Sequence, residues 1–193
     1  METGMYKKQM ILQRIVCYAM LAASALVFIY SLGIMTDMAN SNFAFFYDWE
    51  VAGTEIYFDM QEFNKDFTFA SLILILLAVS QFLFQNHKRR KYYIANYITV
   101  VANTVAAVMV SNWALDNIFT YRKQYLEVDF EQMEFWIEQL GDMYYTDSTF
   151  WFDISKPIFT ILLVVAALNV INLIFKTVVM IAERRLLKKS EEV

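Results

Sequence analysis

The chain has 193 residues, of which 59% are hydrophobic and 19% are charged. A typical soluble domain is about 45–50% apolar and about 25% charged, so this composition argues against an ordinary soluble domain. Glycine (4 residues) and proline (1 residue) are also scarce.

Four stretches of the chain contain no Asp, Glu, Lys or Arg. Each is close to or above the length of about 20 residues that a helix needs to cross a bilayer. They predict membrane-spanning helices at about 15–36, 67–86, 92–115 and 157–180. The fourth is charge-free up to Phe175 and continues past Lys176, whose side chain we expect to extend to the lipid headgroups. The sequence therefore predicts an all-α membrane protein, a four-transmembrane helical bundle that forms a single domain over residues 1–193.

The charges between the spans predict how the chain is oriented. The turn HKRRKYY (87–93) contains four basic residues and no acid, and both terminal segments are also basic. The segments 37–66 and 116–156 contain seven and nine acids against one and three bases. Because basic segments stay in the cytoplasm, we expect both termini and the turn to be cytoplasmic and the two acidic loops to be extracytoplasmic. We expect the basic turn to contact anionic membrane lipid, and not nucleic acid.

The first span predicts an uncleaved signal anchor. AASA (22–25) resembles a cleavage site, but apolar LVFIY follows it directly, whereas the apolar core of a signal peptide normally ends at the site. The acidic loops contain no cysteine and no N-glycosylation sequon. An exported eukaryotic loop of this size usually has disulfides or glycans, so we expect a bacterial plasma membrane.

The first outer loop is rich in aromatic and β-branched residues around Gly53. This pattern is compatible with a short β-hairpin of roughly 43–50 and 54–60. An irregular loop whose aromatic side chains lie at the membrane interface is the other interpretation.

The second outer loop predicts an amphipathic helix within DFEQMEFWIEQLGDMYY. Its apolar side chains recur at helical spacing, and its acids occupy the other face. Asp129 is the expected N-cap, and Gly141 is expected at or just past the end. Two tryptophans and three acids of the outer loops are candidates for a docking face that contacts a partner: Trp49, Glu131, Glu134, Trp136 and Glu138. The plainer interpretation is that the acids form a solvated helix face.

Neutral polar side chains lie inside the spans at similar depth. Six of them are candidates for helix packing or partner contact: Ser24, Gln81, Asn96, Asn103, Asn169 and Asn172. In hydrocarbon such groups bond to one another, at about 0.6–2 kcal/mol per interhelical bond. One interpretation is an internal layer that sets the helix register. The other is a surface that faces a partner's helices or a neutral solute.

The sequence contains no recognisable catalytic, cofactor or metal motif. There is one histidine, His87, and one cysteine, Cys17, and neither has a companion for metal or redox chemistry. No Gly-rich phosphate loop, G-x-S-x-G or H-E-x-x-H sequence is present. We therefore expect a protein that is not an enzyme and that binds no cofactor or metal.

The segments HKRRKYYIANY (87–97), DFEQMEFW (129–136) and STFWFDI (148–154) resemble uncharacterised four-span membrane proteins of Gram-positive anaerobic bacteria. The resemblance extends over most of the chain and carries no functional residues with it. It implies a bacterial protein that works beside membrane machinery such as a nutrient importer.

Two functions remain open from the sequence. The first is a non-enzymatic accessory subunit of a larger membrane complex, a transporter, whose partners are a permease or an extracytoplasmic binding component. The alternative is an oligomeric pore or carrier for a small solute or cation, in which the asparagines line a path and the outer acids attract cations.

Overall fold

A computed structural model describes residues 4–38, 48, 50–85, 94–140 and 146–191 of the chain. These residues are almost entirely helical, and no β-strand occurs among them. The predicted all-α class is confirmed for this part of the chain.

Four long helices account for most of the structure, joined by two short ones. They are α1 (Gly4–Met38), α2 (Ile56–Leu83), α3 (Ile94–Tyr125), α4 (Phe130–Leu140), α5 (Phe150–Asp153) and α6 (Ser155–Glu191). Candidate membrane spans occur at Gly4–Ile34, Ile56–Leu83, Ile94–Tyr125 and Phe150–Leu187. Each predicted span lies mainly within one of the four long helices. The helices α1 and α6 extend past their predicted spans at both ends, whereas α2 extends only before its span and α3 only after it.

The long helices leave much of their apolar surface uncovered. In the most hydrophobic window of each span, 28–44% of the residues are buried. Large apolar side chains such as Ile29, Phe69, Leu76 and Met109 are more than 60% exposed. Soluble monomers rarely expose so much contiguous apolar surface, whereas lipid tails accept it. The four helices thus support a multi-pass membrane protein.

The predicted β-hairpin is not formed where the structure describes it. Its second strand, 54–60, is replaced by the start of α2, which begins at Ile56. Tyr57, Met60 and Phe63 are all buried, and their spacing of three residues is helical and continues the buried face of the membrane span. Helix propagation adds a hydrogen bond for each residue fixed, which favours this extension over a marginal two-stranded hairpin. Most of the first predicted strand lies outside the described residues.

The predicted amphipathic helix is confirmed as α4. Asp129 Oδ1 accepts a 2.9 Å hydrogen bond from the Gln132 backbone N–H, which is the N-cap interaction expected of Asp129. Met133 is fully buried, whereas Glu131, Glu134 and Glu138 are exposed. The helix ends at Leu140, and Gly141 lies outside the described residues.

The chain divides into two compact units, which share the four long helices. The first unit consists of Met1–Ala25, Ile73–Met109 and Thr160–Val193. The second consists of Leu26–Leu72 and Val110–Phe159. Polar side chains inside the first unit form the candidate site, and the second unit has an aromatic interior.

Aromatic side chains hold the second unit together. The Phe67 ring lies 5.6 Å from Phe63, 5.8 Å from Tyr30 and 5.9 Å from Phe159, centroid to centroid. The Tyr30 hydroxyl donates a 2.8 Å hydrogen bond to the Trp151 carbonyl. Such pairs add about 0.5–1.5 kcal/mol to the burial of the rings themselves, so this interior ties α1, α2 and α6 together.

Two glycines permit close approaches in the second unit. A Cβ on Gly33 would lie 2.2 Å from Cζ3 of Trp151, so the indole packs directly on the α1 backbone. Gly53 has a φ of 81°, and a Cβ there would lie 2.8 Å from the Glu127 carbonyl oxygen. The Asp129 N–H donates to the Ala52 carbonyl at 3.0 Å, which joins the turn before α2 to the turn before α4.

Candidate functional site

The amide layer of the first unit consists of Cys17, Gln81, Asn103 and Asn169, one from each long helix. Gln81 is at the centre. Its Nε2 donates to Asn169 Oδ1 at 2.8 Å, and its Oε1 accepts from Asn103 Nδ2 at 2.8 Å. Nε2 also lies 3.6 Å from Cys17 Sγ. The three amide side chains are 0% exposed, so this layer faces the interior of the unit and not the lipid.

Helical periodicity brings these residues together. Along α2, the buried face includes Leu74, Ala78 and Gln81, at spacings of four and three residues. On α3, Asn103 follows Asn96 by seven residues, which is two turns. A side chain on such a face points to the neighbouring helices, where amides in apolar surroundings find only one another as partners.

The lysine cluster of the first unit consists of Gln9, Gln13, Asn96, Asn172 and Lys176. Gln9 Nε2 donates to Gln13 Oε1 at 3.0 Å and to Asn172 Oδ1 at 3.2 Å. Lys176 Nζ donates to Asn96 Oδ1 and lies 4.7 Å from the centroid of the Tyr97 ring. Asn172 and Lys176 are one turn apart on α6, so they share a face.

The expectation that Lys176 extends to the headgroups is wrong. Its side chain is 0% exposed, and its ammonium is directed to an amide oxygen and an aromatic ring inside the unit. A cation–π contact and a charge-assisted hydrogen bond both stabilise a desolvated ammonium. A buried ionisable group in a span is a default functional candidate, and this one belongs to the site.

The structure distributes the six polar candidates over three environments. Gln81, Asn103 and Asn169 meet in the amide layer, and Asn96 and Asn172 belong to the lysine cluster. Ser24 is 0% exposed, but its hydroxyl has no hydrogen-bond partner among the described residues. All five amide side chains have a hydrogen-bonded partner within the first unit, and each is at most 1% exposed.

The residues predicted for an outer docking face differ in their exposure. Trp136 is half-buried, whereas its neighbour Phe135 is 53% exposed. The reason is the helical period. Positions 136 and 137 follow the buried Met133 by three and four residues and so lie on its face of the helix, whereas positions 134, 135 and 138 lie on the exposed face. Phe135 therefore lies among Glu131, Glu134 and Glu138 as the exposed aromatic of α4. Trp49 lies outside the described residues.

An acidic cavity of about 420 Å³ opens in the second unit, lined by Asp48, Glu50, Val51, Ala52 and Glu55. Within the described residues, no group of three or more His, Cys, Asp or Glu side chains is arranged to hold a metal ion. The cavity is thus an acidic surface feature of the turn before α2.

Sequence reasoning missed Gln9, Gln13 and the burial of Lys176. The two glutamines precede the charge-free stretch that begins at Ile15, so a search for polar residues within spans does not include them. Their spacing of four residues, followed by the buried Val16, Cys17 and Met20, is the signal that places them on the interior face of α1.

Comparison with protein-family models, curated proteins and solved structures gives no match to this chain.

Proposed function

We propose that the chain is a non-enzymatic integral membrane subunit of a larger bacterial membrane complex, a transporter such as a nutrient importer. It lies in the plasma membrane with both termini cytoplasmic and the two acidic loops outside. Its spans pack on a permease, and its outer helix contacts an extracytoplasmic component of the same complex.

The observation that carries this proposal is the pairing of Gln81 with Asn103 and Asn169, both at 2.8 Å. Because these amides bond directly to one another across three helices, they are suited to holding the helices in register. A translocation path needs groups that release and rebind a solute, whereas amides bonded to each other and 0% exposed favour a rigid scaffold.

A second line of support is the exposed face of α4. Phe135 lies between Glu131, four residues before it, and Glu138, three residues after it, on the surface of α4; these three side chains and Glu134 are exposed. An apolar side chain inside a charged rim is the arrangement of an interface hot spot, and three carboxylates favour a basic partner. This face is therefore the proposed contact with the extracytoplasmic component.

The test is affinity purification of the tagged full-length chain from its native membrane in mild detergent, followed by quantitative mass spectrometry. We expect permease and binding-component subunits in a constant ratio to the tagged chain. Recovery of the chain only with copies of itself would refute the accessory-subunit proposal.

A matched pair of variants tests the outer face in the same experiment. Glu131→Gln, Glu134→Gln and Glu138→Gln together should cause a several-fold loss of the extracytoplasmic component and retain the permease. The control removes three exposed acids elsewhere by Glu55→Gln, Glu62→Gln and Asp66→Asn and should retain both partners. Equal losses from both triple variants would show that net charge matters and the α4 face does not.

The second candidate function is an oligomeric pore or carrier, which the buried Lys176 favours because ionisable residues inside spans commonly mark solute pathways. If the protein is a pore or carrier, the purified protein reconstituted in liposomes will support a flux of a small solute or cation. Asn103→Leu or Asn169→Leu would change that flux. Under the accessory-subunit proposal, the liposomes show no flux and the same variants weaken assembly.

A further inference from the structure

Three buried atoms of the lysine cluster have no hydrogen-bond partner among the described residues: Gln9 Oε1, Gln13 Nε2 and Asn96 Nδ2. Each belongs to a side chain that is 0% exposed. Leaving a buried donor or acceptor without a partner incurs its full desolvation penalty, and native structures do so rarely. Gln9 bonds to Asn172, and Asn172 lies one turn before Lys176, the partner of Asn96, so the three atoms belong to neighbouring groups beside one face of α6. Together they indicate a ligand that supplies hydrogen bonds.

The orientation of Asn96 follows from its neighbour. An ammonium group has only donors, so Lys176 Nζ requires the amide oxygen and turns Nδ2 away from itself. The Asn96 Nδ2 group is therefore a donor that has no partner among the described residues. Turning over a glutamine amide only exchanges its oxygen and nitrogen, so Gln9 and Gln13 keep one unbonded group each in either orientation.

The mixture of donors and acceptors identifies the ligand. Asn96 Nδ2 and Gln13 Nε2 offer protons, whereas Gln9 Oε1 requires one. An anion, such as a phosphate, would satisfy the first two and leave the third unbonded. Water donates and accepts, and buried waters typically make about three hydrogen bonds to otherwise unsatisfied polar groups.

We propose that the lysine cluster is a hydration site, in which ordered water molecules bridge Gln9, Gln13 and Asn96 and solvate the Lys176 ammonium. The water lets the lysine retain its charge without reaching the headgroups. Water defects are one of the means by which a charge is accommodated at membrane depth. The site is a property of the chain itself, and it holds under either candidate function.

The test is water-edited solid-state NMR on the ¹⁵N-labelled full-length protein in lipid bilayers. Magnetisation is transferred from water protons, and its build-up is recorded at side-chain nitrogens. We expect several-fold faster build-up at Lys176 Nζ, Gln13 Nε2 and Asn96 Nδ2 than at Gln81 Nε2. Gln81 is a matched control because its amide is equally buried and already bonded within the amide layer.

Two results would overturn the proposal. Build-up at Gln13 and Asn96 as slow as at Gln81 would show a dry cluster. A ³¹P–¹⁵N dipolar contact at Lys176 Nζ would show a phosphate in place of water. The same measurement in lipid without phosphate would identify its source, because a headgroup contact would disappear and a contact with free phosphate would remain. The wild-type measurement needs no substitution, and Gln13→Leu serves to assign the Gln13 signal.

Discussion

Gln81 on α2 and Asn169 on α6 are joined by a 2.8 Å hydrogen bond between side chains that are 88 positions apart. The same glutamine also accepts from Asn103, so one residue connects three helices. Removing it leaves two asparagines without that partner in a buried, apolar setting.

The first prediction concerns this connection. Gln81→Leu should lower the free energy of unfolding by about 1–3 kcal/mol, because two buried amides lose their partner. The measurement is unfolding of the purified protein by SDS titration in mixed micelles. Gln61→Leu is the control, since Gln61 lies on the same helix and is exposed; equal effects of the two changes would contradict the role of the amide layer.

A second prediction tests the contact between Gly33 and Trp151. Gly33→Ala should destabilise the protein by about 1–3 kcal/mol, since overpacking forces neighbouring groups to move, and the indole lies where the new methyl group would be. Tryptophan fluorescence during unfolding measures the change. In the control variant, Gly4→Ala, the added methyl group meets nothing within 4 Å and stability should stay the same or rise slightly. A stable Gly33→Ala protein with wild-type fluorescence would disprove the contact.

The third prediction concerns Gly53, whose φ of 81° is unfavourable for any residue with a Cβ. Gly53→Ala should loosen the turn that holds Asp129 N–H on the Ala52 carbonyl. We expect faster hydrogen–deuterium exchange in peptides that cover 126–133, measured by mass spectrometry. Peptides from 94–109 in the first unit are the internal control, and unchanged exchange at 126–133 would refute this account of the turn.

Tyr30 provides a fourth prediction. Tyr30→Phe removes the hydroxyl that donates to the Trp151 carbonyl at 2.8 Å and should lower stability by about 0.5–1.5 kcal/mol, the net value of one hydrogen bond. Tyr18→Phe is the matched control, because the Tyr18 side chain is 58% exposed. Thermal unfolding of both variants in the same detergent decides the point, and a loss in Tyr18→Phe as large as in Tyr30→Phe would argue against it.

The fifth prediction tests the proposed topology. In a Cys17→Ala background, single cysteines are introduced by Glu134→Cys on α4 and Arg184→Cys on α6, both at exposed positions. A membrane-impermeant maleimide should label the first in intact cells and the second only after permeabilisation. The reverse pattern would invert the proposed orientation.

The helical class, the four candidate spans and the amphipathic α4 with its Asp129 cap were all predictable from the sequence alone. These features depend on hydrophobicity, periodicity and local hydrogen bonding, which act over a few neighbouring residues. At 54–60 the aromatic and β-branched residues were compatible with a strand or an irregular loop, and the structure has the start of α2 there. There the buried face of the adjoining span continues, and tertiary packing overrides local propensity.

Which polar groups meet could not be predicted from the sequence and became evident in the packed helices. Gln81 and Asn169 are far apart in the sequence, and no spacing rule links them. The burial of Lys176 likewise depends on Asn96 and Tyr97, which come from another helix, because a lysine near the end of a span extends to the headgroups unless neighbouring helices enclose it. Long-range partners depend on how the helices are rotated about their axes, and that rotation is set by the packing of the whole bundle.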